Sequence, residues 1–422
     1  MISIKKINNF LIYIILFFTI FGSAYNYTYF PQFLSYLKDF SIFVLFFQVL
    51  IKKKFLFPKD LGWSFVALFI IIAFFSWTGF MNCTEYSKID VFIVLMKYLE
   101  FFISIIVFCN INMISTIDNK KIVKIYIIMS IVLIFVHLFG YFIPNNIVSP
   151  KIMTHFTHGY YNNRISIGQP AISVFPMIMS IIYLMVYSEK NIKKVLFIVF
   201  LTIGVVISVA TTGIISLLIC FVCLFFFLKK KEIFTFIKHI LPICLLFFLC
   251  IPFLISKISI NNLYETQIKM FTIKIEALFN DRINDYSMIA RDIKYSKTIE
   301  SVDNVIDNIF GLGVYGYNRN GIDIGNMENT FRLFRVSYGI IGVIIFSFFI
   351  FSNLIKNFYK YLFAKNKKLD YLFLFLLFLV YILHSWTLDI IYPATIVFSF
   401  SIFYSVTKNN ENGSEKNENI NC

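Results

Sequence analysis

The sequence predicts an all-α, polytopic membrane protein of about 12 transmembrane helices with one large extracytoplasmic loop. Three observations predict it. Hydrophobic residues make up 59% of the chain and charged ones only 14%, with mean hydropathy +0.78, too little charge to cover a soluble protein of this length. The apolar residues gather in runs near the roughly 20 residues that cross a hydrocarbon core as a helix. They do not form the alternating segments of about ten residues that build a membrane barrel. Lysines cluster in every second gap between runs, the asymmetry that orients a chain in a bilayer.

Taken in order, the expected spans are 8–25, 33–51, 61–80, 90–109, 122–143, 165–187, 195–210, 213–228, 239–256, 328–352, 369–388 and 391–406. The first follows Lys5 and Lys6 and precedes no small-residue cleavage site, so it reads as an uncleaved span. Spans two and three are separated by Lys52, Lys53, Lys54 and Lys59, and four from five by Lys120, Lys121 and Lys124. Lys190, Lys193 and Lys194 follow the sixth, and Lys229, Lys230, Lys231 and Lys238 follow the eighth. Lys356, Lys360, Lys365, Lys367 and Lys368 follow the tenth. The run from Val195 to Leu228 is too long for one span and splits at Ala210-Thr211-Thr212-Gly213 into a hairpin turning at the outer face. With both tails included, one side collects 23 lysines, while the short loops of the other hold only Lys88, Lys151 and Arg164. Both termini are therefore expected in the cytoplasm and the long loop outside.

Four regions follow: a bundle of about nine helices over 1–256, the outer loop 257–326, further spans over 327–407, and a tail 408–422. The tail is rich in Asn, Glu and Lys and is expected to be disordered. The formal charge of +15 does not mark a nucleic-acid binder, because the lysines are spread between spans and form no extended basic face. Cys109, Cys220, Cys223, Cys244 and Cys250 lie in apolar runs, Cys83 stands alone on an outer loop, and Cys422 ends the tail. Neither a disulfide framework nor a metal site is suggested, and no cofactor is expected.

A few charges break the membrane pattern. Lys97 and Glu100 stand three residues apart on the fourth span and can neutralise each other on one helix face. Lys38 and Asp39 lie near the outer end of the second span, where a long lysine can reach the interface. Arg164 closes the outer loop 144–164, ahead of Gly168 and Pro170, which loosen the top of the sixth helix. Two readings stand for it: an arginine on lipid headgroups, or a planar fork for a diphosphate. His155 and His158 share that loop, as polar loop residues rather than catalysts.

The long loop has its own order. Segment 263–300 combines helical apolar spacing with Lys269, Lys274, Arg282, Arg291, Lys294 and Lys297, which suits an amphipathic helix on a bilayer surface. Gly311, Gly313, Gly316, Gly321 and Gly325 follow, a stretch free enough to approach a bulky ligand closely. Then comes Asn326-Met327-Glu328-Asn329-Thr330-Phe331-Arg332-Leu333-Phe334-Arg335. On one continuous helix Glu328, Arg332 and Arg335 would form a single stripe at the outer mouth of the tenth span. That stripe suits either a salt bridge holding the helix end or a carboxylate that activates an acceptor beside an anionic leaving group.

The stretch "FGLGVYGY…NMENTFRLFRVSYGIIG" resembles the signature of the O-antigen polymerases and ligases, the Wzy and WaaL group. "NRISIGQPAISVFP" is similar to that family's arginine at the end of an outer loop, and "ISVATTGIISLL" stands where the family has a Ser-Arg-Gly turn, here without the arginine. The resemblance spans roughly 155–350 together with the 12-span layout. It implies a GT-C-like, metal-independent glycosyltransferase in the bacterial plasma (inner) membrane. The donor would be a growing glycan on undecaprenyl diphosphate and the acceptor another lipid-linked repeat unit. A chain-length regulator and a flippase of the same pathway would be its partners, beside membrane lipid. Carried over by motif, Arg164 matches the first family arginine, and Arg291 fits the spacing of the second better than Arg282. Glu328 holds the position that ligases fill with a catalytic histidine, so polymerase is favoured over ligase. The expected catalytic residues are Glu328, Arg164 and Arg291, with Arg282, Arg332, Arg335, Asn329, His158 and Gly313 contacting substrate. A flippase or other transporter of lipid-linked sugar is the rival outside enzymes. It would be expected to carry charged or broken-helix sites near the midplane.

Overall fold

A computed structural model describes residues 3–25, 32–52, 56–82, 88–142, 170–187, 192–208, 210–227, 286–300, 302, 304–313, 329–364, 368–386, 390–391 and 393–418. The described residues form helices joined by short turns, with no strand among them. In order, the helices are α1 (Ile4–Tyr25), α2 (Tyr36–Ile51), α3 (Gly62–Asn82), α4 (Lys88–Cys109), α5 (Ile111–Ile114), α6 (Asn119–Phe142), α7 (Pro170–Tyr187), α8 (Ile192–Ile207) and α9 (Thr211–Phe227). After the long loop come α10 (Tyr286–Glu300), α11 (Val305–Phe310), α12 (Thr330–Ser337), α13 (Gly339–Phe363), α14 (Lys368–Ser385) and α15 (Ala394–Glu418). Among the described residues, five stretches are long and apolar enough to cross a membrane: Ile4–Gly22, Phe33–Ile51, Lys59–Trp77, Gly339–Phe363 and Lys368–Ser385. The protein is all-α and membrane-associated. The expected span 239–256 and the loop 257–285 lie outside the described residues, as do Arg164, Arg282, His155, His158 and Glu328.

Local chemistry explains where several helices begin. The Asp118 side chain accepts from the Lys121 N–H at 2.7 Å ahead of α6, and Asn304 does the same for Asp307 at 2.7 Å ahead of α11, each satisfying a donor that a helix start leaves open. Pro170 opens α7, where its missing N–H costs nothing. The run 195–228 divides as expected, α8 ending at Ile207 and α9 starting at Thr211. The last helix, α15, runs to Glu418. A helix already nucleated by an apolar segment extends residue by residue without a new nucleation step.

The chain forms two compact units. The first holds most of α1, α2 to α5, the start of α6, and α10 to α15. Its core centres on Phe101 of α4, fully buried. Around that ring stand Phe65 of α3 at 6.4 Å, Phe349 of α13 at 6.2 Å, Tyr381 of α14 at 6.1 Å and Phe400 of α15 at 5.8 Å. Lipid tails are as apolar as these rings, so helix association rests on packing and on polar contacts between helices. The α4–α15 seam has both, with Ser104 and Ser401 hydroxyls 2.6 Å apart, and beside it Asn119 Nδ2, at the start of α6, donates to Ser405 Oγ of α15 at 3.0 Å.

Lysine-bearing helix ends gather at one end of this unit. Asn8 of α1 donates to Gln48 of α2 and to the Ile114 carbonyl. Asn110 brackets Leu56, accepting from its N–H at 2.6 Å and donating to its carbonyl at 2.8 Å. Lys356 Nζ of α13 donates to the Asp60 carbonyl at 2.5 Å. The opposite, lysine-poor end carries the C-terminus of α3, the C-terminus of α14 and the junction of α12 with α13. In the second unit α7 packs tightly on its neighbours. A Cβ on Gly204 of α8 would lie 2.9 Å from Met177 Sδ, and one on Gly213 of α9 would lie 2.6 Å from a Val174 methyl.

The expected span 328–352 is two helices. Tyr338 (φ −125°, ψ 8°) ends α12, and Gly339 (φ +64°) starts α13. The cause lies in the preceding glycine turn. The Leu312 and Gly313 N–H groups donate to the carbonyls of Val336 (2.8 Å) and Ser337 (2.9 Å), which an unbroken helix would have offered to residues 340 and 341.

Candidate functional site

The lysine-poor end of the first unit is assembled around α12. Asn329 caps this helix, its side chain accepting from the Arg332 N–H at 3.0 Å, while its Nδ2 donates to the Trp386 carbonyl at 2.8 Å. Thr330 Oγ1 accepts from the Ile390 N–H at 3.0 Å, and the Phe331 and Trp386 rings lie 5.4 Å apart. These contacts tie the start of α12 to the end of α14. Ser76 and Tyr338 hydroxyls, 3.3 Å apart, tie its other end to α3.

Arg332 reaches outward from this frame. Its Nη2 donates to Asp292 Oδ1 at 2.5 Å, and its guanidinium stands 4.7 Å from the centre of the Tyr295 ring. Asp292 and Tyr295 are three apart on α10 and so share a face. The pair is only part-buried, with 29% of the Arg332 side chain and 42% of that of Asp292 exposed. The loop helix that carries Arg291 is thereby fastened to α12. Arg291 is the neighbour of Asp292 on the α10 backbone.

Three other expected substrate contacts are engaged in holding the fold. Arg335 Nη1 and Nη2 donate to the Asn308 carbonyl (2.9 Å) and Asn308 Oδ1 (2.6 Å), clamping α11 to α12. Asn329 is the cap described above. Gly313 (φ +78°) gives its N–H to Ser337. The glycine turn was expected to leave room for a ligand; at Gly311 that room is filled by the chain itself. A Cβ on Gly311 would lie 2.4 Å from Tyr338 N, and one on Gly339 would lie 2.2 Å from the Ile309 carbonyl oxygen. Of the proposed stripe, Arg332 and Arg335 share α12, while the helix starts after position 328 and Glu328 lies outside the described residues. Sequence reasoning missed Asp292, Tyr295 and Asn308. Only the i, i+3 spacing of Asp292 and Tyr295 could have marked two of them.

A second cluster lies between α2 and α4. Lys97 Nζ pairs with Asp39 Oδ2 at 2.9 Å, and Lys38 pairs with the other oxygen of the same carboxylate. Glu100 meets the Asp39 carboxyl and stands within electrostatic reach of both lysines. The expected pair between Lys97 and Glu100 on one helix is thus part of a four-residue group that joins two helices. Lys38 is 8% exposed and turns to Asp39 instead of reaching for the interface. Charges in a low-dielectric interior require partners, and Asp39 supplies one to each lysine. Among the described residues, no three His, Cys, Asp or Glu side chains gather in a way that could hold a metal ion. No family model matches the chain, and no curated protein sequence matches it.

Proposed function

We propose that this chain is a polysaccharide repeat-unit polymerase, a GT-C-like glycosyltransferase of about 12 spans in a bacterial plasma membrane. It transfers a growing glycan from undecaprenyl diphosphate to another lipid-linked repeat unit on the outer face. The observation that carries the reading is the Arg332–Asp292 contact. It fastens the loop helix bearing Arg291 to the arginine-bearing motif that resembles the polymerase signature, at the helix ends opposite those that carry the span-linking lysines. A lipid diphosphate presents its anionic groups at that depth.

In this reading Arg164 and Arg291 hold the diphosphate and stabilise the charge that develops on it as the bond to sugar C1 breaks. Glu328 accepts the proton of the acceptor hydroxyl as general base. The oxygen of that hydroxyl forms the new bond to C1 from the opposite side, so the anomeric centre inverts and undecaprenyl diphosphate departs. Arg332 has two tasks open to it: a third contact to the diphosphate, and the placement of α10 through Asp292.

A second reading, a transporter of lipid-linked oligosaccharide, is favoured by one observation, the buried Lys38–Asp39–Lys97–Glu100 group at membrane depth. A strain lacking the gene separates the readings, with glycan resolved by size on a gel. Surface glycan stalled at one repeat unit is the polymerase result. Long chains retained on undecaprenyl diphosphate identify a ligase, and single units trapped on the inner leaflet identify a flippase. An unchanged ladder contradicts all three.

A further inference from the structure

Helix α11 turns its polar side inward and its apolar side out. Asn308 receives the Arg335 guanidinium, and Asp307 closes the cap with Asn304. On the other side Val305, Ile306, Ile309 and Phe310 are 73%, 68%, 37% and 41% exposed. A surface helix in water carries the opposite pattern. Four large apolar side chains left in water forfeit their transfer free energy, whereas hydrocarbon takes them at no cost.

The surroundings give α11 its depth. Its Phe310 ring lies 5.8 Å from Phe75 of α3. Two residues further, Trp77 is exposed at the end of the apolar stretch Lys59–Trp77. Trp386, also exposed, ends α14 and is held by Asn329 and Phe331. Tryptophan collects where hydrocarbon meets headgroups, and these two bracket the α11–α12 assembly. Below the Gly311–Gly339 crossing, α13 exposes Ile340, Ile344, Phe348, Phe351 and Ile355 in a row at helical spacing.

We propose that residues 305–310 insert into the leaflet at the lysine-poor side and pack against lipid acyl chains, holding α10 and α12 at headgroup level. The occupant is bilayer lipid, because α13, to which α11 is joined through the Gly311–Gly339 crossing, exposes its own apolar row along a stretch long and apolar enough to cross a membrane. Those four side chains also offer no charge or hydrogen-bonding group for a protein partner to match. This inference does not depend on the polymerase reading. It explains how a loop outside the spans keeps a fixed height above the membrane: Arg335 and the crossed glycines join it to α13, and the inserted face stops it from lifting.

The test places p-benzoylphenylalanine at position 306 of the full-length chain and irradiates it in native membranes. The same protein is irradiated in liposomes of phosphatidylethanolamine and phosphatidylglycerol. Peptide mass spectrometry identifies what is captured, and position 300, exposed on α10, is the comparison. Position 305 repeats the experiment at the most exposed residue, so that a folding defect at one site leaves the other to decide. The expected result is phospholipid adducts at 305 and 306 in both settings, at several times the yield found at 300. Capture of a second copy, of another segment of the chain or of another protein overturns the proposal. So does a lipid yield no greater than at position 300.

Discussion

Gly311 and Gly339 hold left-handed backbone angles, and each fills the space that a Cβ on the other would require. Replacing Gly339 with alanine adds both strain and overlap, and is expected to cost at least about 2 kcal/mol. Thermal unfolding in lipid nanodiscs reads this directly, and an unchanged melting temperature would show that the crossing relaxes freely. The two arginines of α12 should behave differently. Arg335→Ala removes both hydrogen bonds to Asn308 and is expected to cost about 1–3 kcal/mol, since a charged donor is lost and an acceptor is left open. Arg332→Ala breaks a part-exposed ion pair worth no more than about 1 kcal/mol, so the protein should stay folded. Under the proposed function the same change stops chain extension. Stability and glycan length measured on the two variants separate an architectural arginine from one that serves the reaction. Equal losses of both properties in the two variants would contradict the distinction.

At the scale of elements, the break between α12 and α13 gives the site its form. A continuous helix from 328 onward would run Arg332 and Arg335 down the top of a span. The observed junction makes α12 a separate short helix, capped by Asn329 and tied to Trp386. Asn329→Ala is expected to lose about 1 kcal/mol for the cap, and the further loss of the Trp386 contact should loosen the end of α14. Hydrogen exchange at residues 330–337 would rise under this account, and unchanged protection would contradict it. The break was not legible in the sequence. Tyr338-Gly339 reads as an ordinary small-residue packing site, and nothing local reveals that Leu312 and Gly313 take the carbonyls of Val336 and Ser337. The split of 195–228 was legible, because length alone forbids one span and Ala210-Thr211-Thr212-Gly213 marks the turn.

At the scale of the molecule, apolar run lengths and lysine placement foretold a helical membrane protein, and lysine-bearing helix ends of the first unit do gather together. What the sequence could not reveal is which charges meet across helices. Lys97 and Glu100 read as a local pair and Lys38 as a lysine reaching the interface, yet Asp39 is the shared partner of both lysines. Removing it by Asp39→Asn leaves two buried ammonium groups short of a counter-charge, with an expected loss of about 3–5 kcal/mol. Adding Lys97→Met should recover part of that loss in the same melting experiment. A single variant as stable as the parent would mean that the group is not held as described. Chemistry at the other cluster is read by reconstitution. Purified protein in liposomes is given undecaprenyl-diphosphate-linked repeat units, and the lipid-linked products are resolved by size. The expected result is a ladder of multiples with the intact chain, and single units alone with Arg332→Ala at undiminished melting temperature. A chain that folds and leaves every unit single, or an Arg332→Ala ladder indistinguishable from that of the parent, would contradict it.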